Sequence, residues 1–185
     1  MILVIGPNNS GKSAIAENLA CGFHAPKLVY LATMVPANED GRRRVANHQT
    51  SRLGLGFLTI ESPLAESSSY ADAVGADSTV LLEDVSNLLA NLIFIAHDED
   101  AVRTALVRIR GLETSSCHLI AVTIGGLHSE PGMDKDTCSY IADLDRLNSV
   151  LIQEAEQVVR TDEPSDSSSG LSGEGTGYVR NPGGT

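Results

Sequence analysis

Ile2-Leu3-Val4-Ile5 runs directly into Gly6-Pro7-Asn8-Asn9-Ser10-Gly11-Lys12-Ser13, and the reading of this stretch decides the fold. The apolar run contains β-branched residues and no polar alternation, the pattern of a strand buried on both faces in a parallel sheet. The residues after it fit G-x-x-x-x-G-K-[ST]. Glycines let the backbone curl until successive N–H groups converge on phosphate oxygens. A helix that begins at Ser13 adds the partial positive charge of its N-terminus at the same point. Lys12 can reach the β and γ phosphates, and the Ser13 hydroxyl can ligate Mg²⁺. By composition alone, such a string arises in a chain of this length on the order of once in a hundred cases or fewer.

Outward from this loop, strand and helix patterns alternate. Ser13 to Cys21 predicts a helix with Ile15 and Leu19 on one face and Gly22 placed to stop it. Lys27 to Thr33 predicts a second strand, Phe57 to Glu61 a weaker one, and Thr79 to Leu82 a strong one ending at Glu83-Asp84. Helices are expected from Ser86 to Ala96, from about Asp98 to Arg110 and from about Asp134 to Glu156. His118 to Thr123 predicts a further strand, and Val158-Val159 a final short one. The fold class expected is α/β, a mostly parallel sheet flanked by helices of the P-loop NTPase, RecA-like type. Residues 1–160 read as one nucleotide-binding domain. Residues 161–185 are polar and Gly-rich, and are expected to form a disordered tail.

Composition narrows the function. The chain has 185 residues, enough for one domain, with 42 % hydrophobic and 20 % charged residues, which is ordinary globular usage. Lys plus Arg is 13 and Asp plus Glu is 24, for a net charge of −11. That balance repels a nucleic-acid backbone, so no nucleic-acid partner is expected. No apolar run approaches the ~20 residues of a membrane span, and no signal peptide is read at the N-terminus. Cys21, Cys117 and Cys138 are odd in number and lack C-x-x-C spacing, which suits reduced thiols in a cytoplasmic protein.

Two further groups bear on chemistry. A P-loop protein needs an acidic residue at the end of a neighbouring strand to hold Mg²⁺, and Glu83, ahead of its neighbour Asp84, ends such a strand. Arg44, His48 and Arg52 are spaced at four, so on a helix from Arg42 to Arg52 they share one face. Flanking guanidiniums disfavour the imidazolium and leave a neutral, nucleophilic ring, while the arginines can hold the phosphates it attacks. Taken alone, such a face is more often plain solvent-exposed surface.

Read in order, these residues resemble the bifunctional adenosylcobinamide kinase/adenosylcobinamide-phosphate guanylyltransferases of cobalamin assembly. That family opens with a strand and G-G-x-R-S-G-K-S, here Gly6 to Ser13. Its Y-[IV]-A-T matches Tyr30-Leu31-Ala32-Thr33, and its R-I-x-x-H-x-x-x-R matches Arg44 to Arg52 around His48. Its L-L-[ED] segment and following N-L-L match Leu81-Leu82-Glu83 and Asn91-Leu92-Ile93. The chain departs from the family where N-E-V-G is replaced by Ile124-Gly125-Gly126-Leu127, and where F-R-D is replaced by Tyr140-Ile141-Ala142.

The resemblance implies an enzyme that phosphorylates the aminopropanol hydroxyl of adenosylcobinamide with ATP or GTP. It then forms a GMP–histidine intermediate from GTP and passes GMP to the cobinamide phosphate. His48 and Lys12 are the expected catalytic residues. Gly6, Pro7, Asn8, Asn9, Ser10, Gly11, Lys12, Ser13, Thr33, Arg44, Arg52, Glu61 and Glu83 are expected around the nucleotide, with Ser13 and Glu83 on Mg²⁺. A corrinoid partner, a cytoplasmic location and a homotrimer are also implied. The residues alone leave two alternatives: a non-catalytic nucleotide-binding relative with a regulatory role, and a P-loop kinase for another small molecule.

Overall fold

The computed structural model describes residues 1–36, Glu39, residues 54–161 and the backbone of Tyr178–Arg180. The expected basic helix with Arg44, His48 and Arg52 lies outside the described residues, as does most of the expected tail. In chain order the elements are β1 (Ile2–Gly6), α1 (Lys12–Gly22), β2 (Lys27–Ala32), β3 (Phe57–Glu61) and α2 (Ser67–Tyr70). Then come β4 (Ser78–Glu83), α3 (Val85–Phe94), α4 (Ala101–Ser115), β5 (His118–Ile124), α5 (Lys135–Glu154), β6 (Gln157–Arg160) and β7 (Tyr178–Arg180).

The strands form one sheet in the order β3-β2-β4-β5-β1-β6-β7, and every pairing is parallel except β6 with β7. The central strands are buried along almost their whole length, as uninterrupted apolar runs require when helices cover both faces. Alternation along each strand divides the core. Leu3, Val80 and Leu82 pack with Leu88, Leu89 and Leu92 of α3, Ile109 and Leu112 of α4, and Leu144, Leu147 and Leu151 of α5. Val4, Leu81 and Ile120 face the other way, against Ala16 and Ala20 of α1. Burying each of these leucines contributes on the order of 2 kcal/mol against the entropy of ordering the chain.

Two expectations shift. The face of α1 that meets the sheet is led by the fully buried Ala16 and Ala20, with Ile15 and Leu19 flanking them. The helix expected from Asp98 starts later and runs further. Asp98 instead accepts a hydrogen bond from the Asp100 amide at 2.8 Å, and the buried stripe Ala101, Ala105, Ile109, Leu112 carries the helix to Ser115. Two parts of residues 161–185 join the packed body. Thr161 is buried with its amide on the Ile5 carbonyl at 3.0 Å, and Tyr178–Arg180 pair with β6.

What this arrangement positions is the carboxyl edge of the sheet. The loop after β1 and the end of β4 lie on that edge with one strand, β5, between them. Such edges are where open α/β sheets bind ligands.

Candidate active site

The loop from Gly6 to Ser13 leaves β1 and turns into α1. Gly11 takes φ 79° at the N-cap, a left-handed conformation that a glycine adopts without steric cost. No side chain caps α1 and no acidic residue sits in its first turn, so its N-terminal amides keep their partial positive charge. The Pro7 carbonyl accepts hydrogen bonds from Ser10 Oγ at 2.9 Å and Lys12 Nζ at 2.5 Å, which gathers the loop around the lysine. Burial lowers the Lys12 ammonium below its usual range, and the carboxylates of Asp84 and Glu83 oppose that shift.

Across β5, Glu83 meets the loop. Ser13 Oγ donates to Glu83 Oε1 at 2.5 Å, and Glu83 Oε2 is buried with no hydrogen-bond partner. Burial pushes the Glu83 carboxyl up to about 7; the Ser13 bond and Lys12 pull it down, while Asp84 and Glu17 raise it further. A buried carboxylate oxygen without a partner is costly unless a cation completes it. Among the described residues no three His, Cys, Asp or Glu side chains gather to hold a metal unaided. The pair Ser13 and Glu83 nonetheless fits Mg²⁺, which takes one or two protein oxygens and fills its octahedron with phosphate and water.

The neighbouring acid has a different task. Asp84 is the N-cap of α3: its Oδ1 accepts from the Asn87 amide at 2.6 Å and from Ser86 Oγ at 2.5 Å. Burial raises its carboxyl as well, against those hydrogen bonds. Glu83 is therefore the acid left free to face the loop.

Thr33 braces the turn at the end of β4. It is fully buried, its hydroxyl donates to the Asp84 carbonyl at 2.8 Å, and it accepts from the Asp84 amide at 2.8 Å. Its own amide bonds the Glu83 carbonyl at 2.9 Å, so Thr33 holds the turn that aims Glu83. Asn91 Nδ2 extends this brace by donating to the carbonyls of Thr33 at 2.7 Å and Pro63 at 2.9 Å. Glu61 is exposed at the end of β3, four strand places from β1 in the sheet order. At strand spacing that is about 19 Å, so Glu61 is not brought to the loop.

One residue at the loop, Thr161, was not singled out by sequence. An ideal Cβ on Gly6 would stand 1.9 Å from Thr161 Oγ1, so the first glycine is what lets the chain after β6 cross the loop. Thr161 Oγ1 and Ser10 Oγ share a hydrogen bond of 2.5 Å. Beside them a cleft of about 660 Å³ opens between Gly6 and Pro7, the glycines after β5, the outer face of α5 and the end of β6.

The sheet, with one strand between the loop strand and the acidic strand, and the Ser13–Glu83 corner define a P-loop nucleotide-binding protein of RecA-like build. The family model of CobU, cobinamide kinase / cobinamide phosphate guanyltransferase, matches residues 2–162, and the chain belongs to that family. No curated protein matches it. Among solved structures it is similar to the flagellar accessory protein FlaH from Methanocaldococcus jannaschii, at 13 % identity and TM-score 0.45, over 86 % of this chain and 69 % of that one. It is similar to the RadB recombinase at 16 % identity and TM-score 0.49, over 97 % and 86 %. It is also similar to the ATP synthase subunit NeqB from Nanoarcheaum equitans at 14 % identity and TM-score 0.48, over 86 % and 45 %. No helix among the described residues is long and apolar enough to cross a membrane.

Proposed function

We propose that this chain carries both activities of its family on adenosylcobinamide: phosphorylation of the aminopropanol hydroxyl, then guanylylation of the resulting phosphate. The observation that carries the reading is the Ser13–Glu83 contact, with a second carboxylate oxygen buried and unpartnered, at the mouth of an uncapped helix. Gly6 to Ser13 cradle the triphosphate through backbone amides, and Lys12 exchanges the Pro7 carbonyl for phosphate oxygens. Ser13 and Glu83 would hold Mg²⁺, which when bound would supply charge neutralisation to the phosphates.

In the transfer step the neutral imidazole of His48 attacks the α phosphorus of GTP. A P–N bond forms, the bond to the β-phosphate bridging oxygen breaks, and pyrophosphate leaves. A phosphate oxygen of cobinamide phosphate then attacks the same phosphorus, the P–N bond breaks, and GMP passes to the corrinoid. Arg44 and Arg52 match the family positions beside this histidine and would hold the phosphates. A homotrimer is part of the reading.

GTP labelled at the α phosphate tests it. The protein should acquire label that is lost in acid and stable in alkali, transferable to cobinamide phosphate, and absent in His48→Ala. A folded, GTP-bound protein without label would reject the transferase half. Lys12→Ala abolishing phosphorylation while His48→Ala leaves it intact, with no label on wild type, would point to a simple P-loop kinase.

A further inference from the structure

A pair of hydroxyls ties the interior of the phosphate loop to the chain that follows β6. Ser10 Oγ and Thr161 Oγ1 lie 2.5 Å apart, 151 positions from each other in sequence. Ser10 also donates to the Pro7 carbonyl at 2.9 Å. A hydroxyl has one proton to donate, so with that of Ser10 committed to Pro7 the proton between the two oxygens belongs to Thr161. The hydrogen bonds therefore run from Thr161 to Ser10 to Pro7. Backbone fixes the donor at the head of this relay: Thr161 is buried directly after β6, and its amide donates to the Ile5 carbonyl at 3.0 Å. On the other flank the Gly125 amide donates to the Gly6 carbonyl at 3.0 Å, so both neighbouring strands hold the root of the loop.

The Pro7 carbonyl has a second donor, Lys12 Nζ at 2.5 Å. When Lys12 turns to a phosphate oxygen that donor leaves, and Ser10 is what still holds the carbonyl. We propose that Thr161 is a positioning residue for triphosphate binding: its hydroxyl keeps Ser10 on the Pro7 carbonyl, and so keeps the loop in its cradle shape after Lys12 has moved to the ligand. Thr161 acts through Ser10 rather than on a phosphate. In the ligand-free protein Lys12 shares the task, so removing the Thr161 hydroxyl weighs more on the bound state than on the free one and is read as affinity. The inference rests on the reading of Gly6 to Ser13 as a triphosphate loop and adds a residue outside the loop that governs its grip.

Equilibrium binding of GTP and of inorganic tripolyphosphate, in one magnesium buffer, tests it on the folded protein. Thr161→Val keeps the shape and removes the donor. It should weaken both ligands about three- to tenfold, the effect of losing one neutral hydrogen bond in the bound state. Thr161→Ser, which keeps the hydroxyl, should bind both like wild type. Ser10→Ala should show the same loss as Thr161→Val, and combining the two should add little, because both break one relay. A Thr161→Val protein with a lower urea midpoint but wild-type affinities makes Thr161 a packing residue and overturns the proposal. So does a loss that Thr161→Ser shares, or one that adds in full to that of Ser10→Ala. If Thr161→Val does not fold, Ser10→Ala cuts the relay at a half-buried position, and undiminished affinity there overturns the proposal. These outcomes leave the loop reading intact. A wild-type protein that binds neither ligand overturns that reading and this inference together.

Discussion

Ser13 Oγ lies 2.5 Å from Glu83 Oε1, joining the end of the phosphate loop to the end of β4 across 70 residues of sequence. The contact has a physical cost, because it places a carboxyl in a buried position with its other oxygen unpartnered. A fold keeps such a group when a ligand completes it. The rest of the site serves that corner: Thr33 fixes the turn, Asp84 caps α3, and Asn91 ties the ends of β2 and β3 to α3.

The Glu83 carboxyl makes the ligand-free protein less stable as pH rises. In the fold it holds its proton up to about pH 7, while in the unfolded chain it releases it near 4.5. The folded state therefore binds more protons through that window, and the stability it confers at acid pH disappears on the way to neutrality. The contribution is on the order of 3 kcal/mol. Glu83→Gln should flatten this slope in urea unfolding at pH 5 and pH 8, and should be the more stable protein at pH 8. Asp84, raised in the same direction, keeps part of the slope.

Binding of a magnesium nucleotide should release a proton near neutrality, because a cation between Ser13 and Glu83 favours the carboxylate. Affinity should climb by up to about tenfold per pH unit below pH 7 and level off above it. Calorimetry in buffers of different ionisation enthalpy reads the proton directly. Its absence at pH 6.5 would place Glu83 away from the metal.

Gly6→Ala should damage the loop. The added Cβ would stand 1.9 Å from Thr161 Oγ1 and 2.6 Å from the Thr161 carbonyl oxygen, and a rotamer change of Thr161 can relieve the first contact but not the second. Overpacking of this kind costs about 1–3 kcal/mol, occasionally more. Urea midpoints should show it, and Thr161→Ala should restore only part, since the backbone oxygen remains.

Thr33→Val should lower stability by about 1–3 kcal/mol, because the buried Asp84 amide loses its acceptor with nothing to replace it. Thr33→Ser, which keeps the hydroxyl, should retain most of the stability. If Thr33 held only the nucleotide, the valine variant would unfold like wild type and fail only in binding.

The sheet was legible because β1, β4 and β5 are apolar on both faces and so stand out as continuous runs. The loop was legible because its chemistry fixes residue types at fixed offsets. Its partners were harder to read. Thr33 sits within a recognisable strand ending, but only the fold shows its hydroxyl bonded to the Asp84 backbone. The choice of Glu83 over Asp84 rests on which one caps α3, a matter of backbone geometry. Thr161 belongs to a stretch whose polar composition suggests a tail, and its place at Gly6 comes from a β6–β1 pairing that no local pattern encodes. The basic face of Arg44, His48 and Arg52 was readable as a pattern, and lies outside the described residues.

Titration of wild type and Lys12→Ala with GTP at pH 8, with and without Mg²⁺, tests the loop and its acidic corner most directly. Wild type should bind in a magnesium-dependent manner, and Lys12→Ala, still folded by circular dichroism, should lose at least about a hundredfold in affinity, the loss of a buried charge-assisted contact. Equal binding by both proteins, or binding indifferent to magnesium, would contradict it.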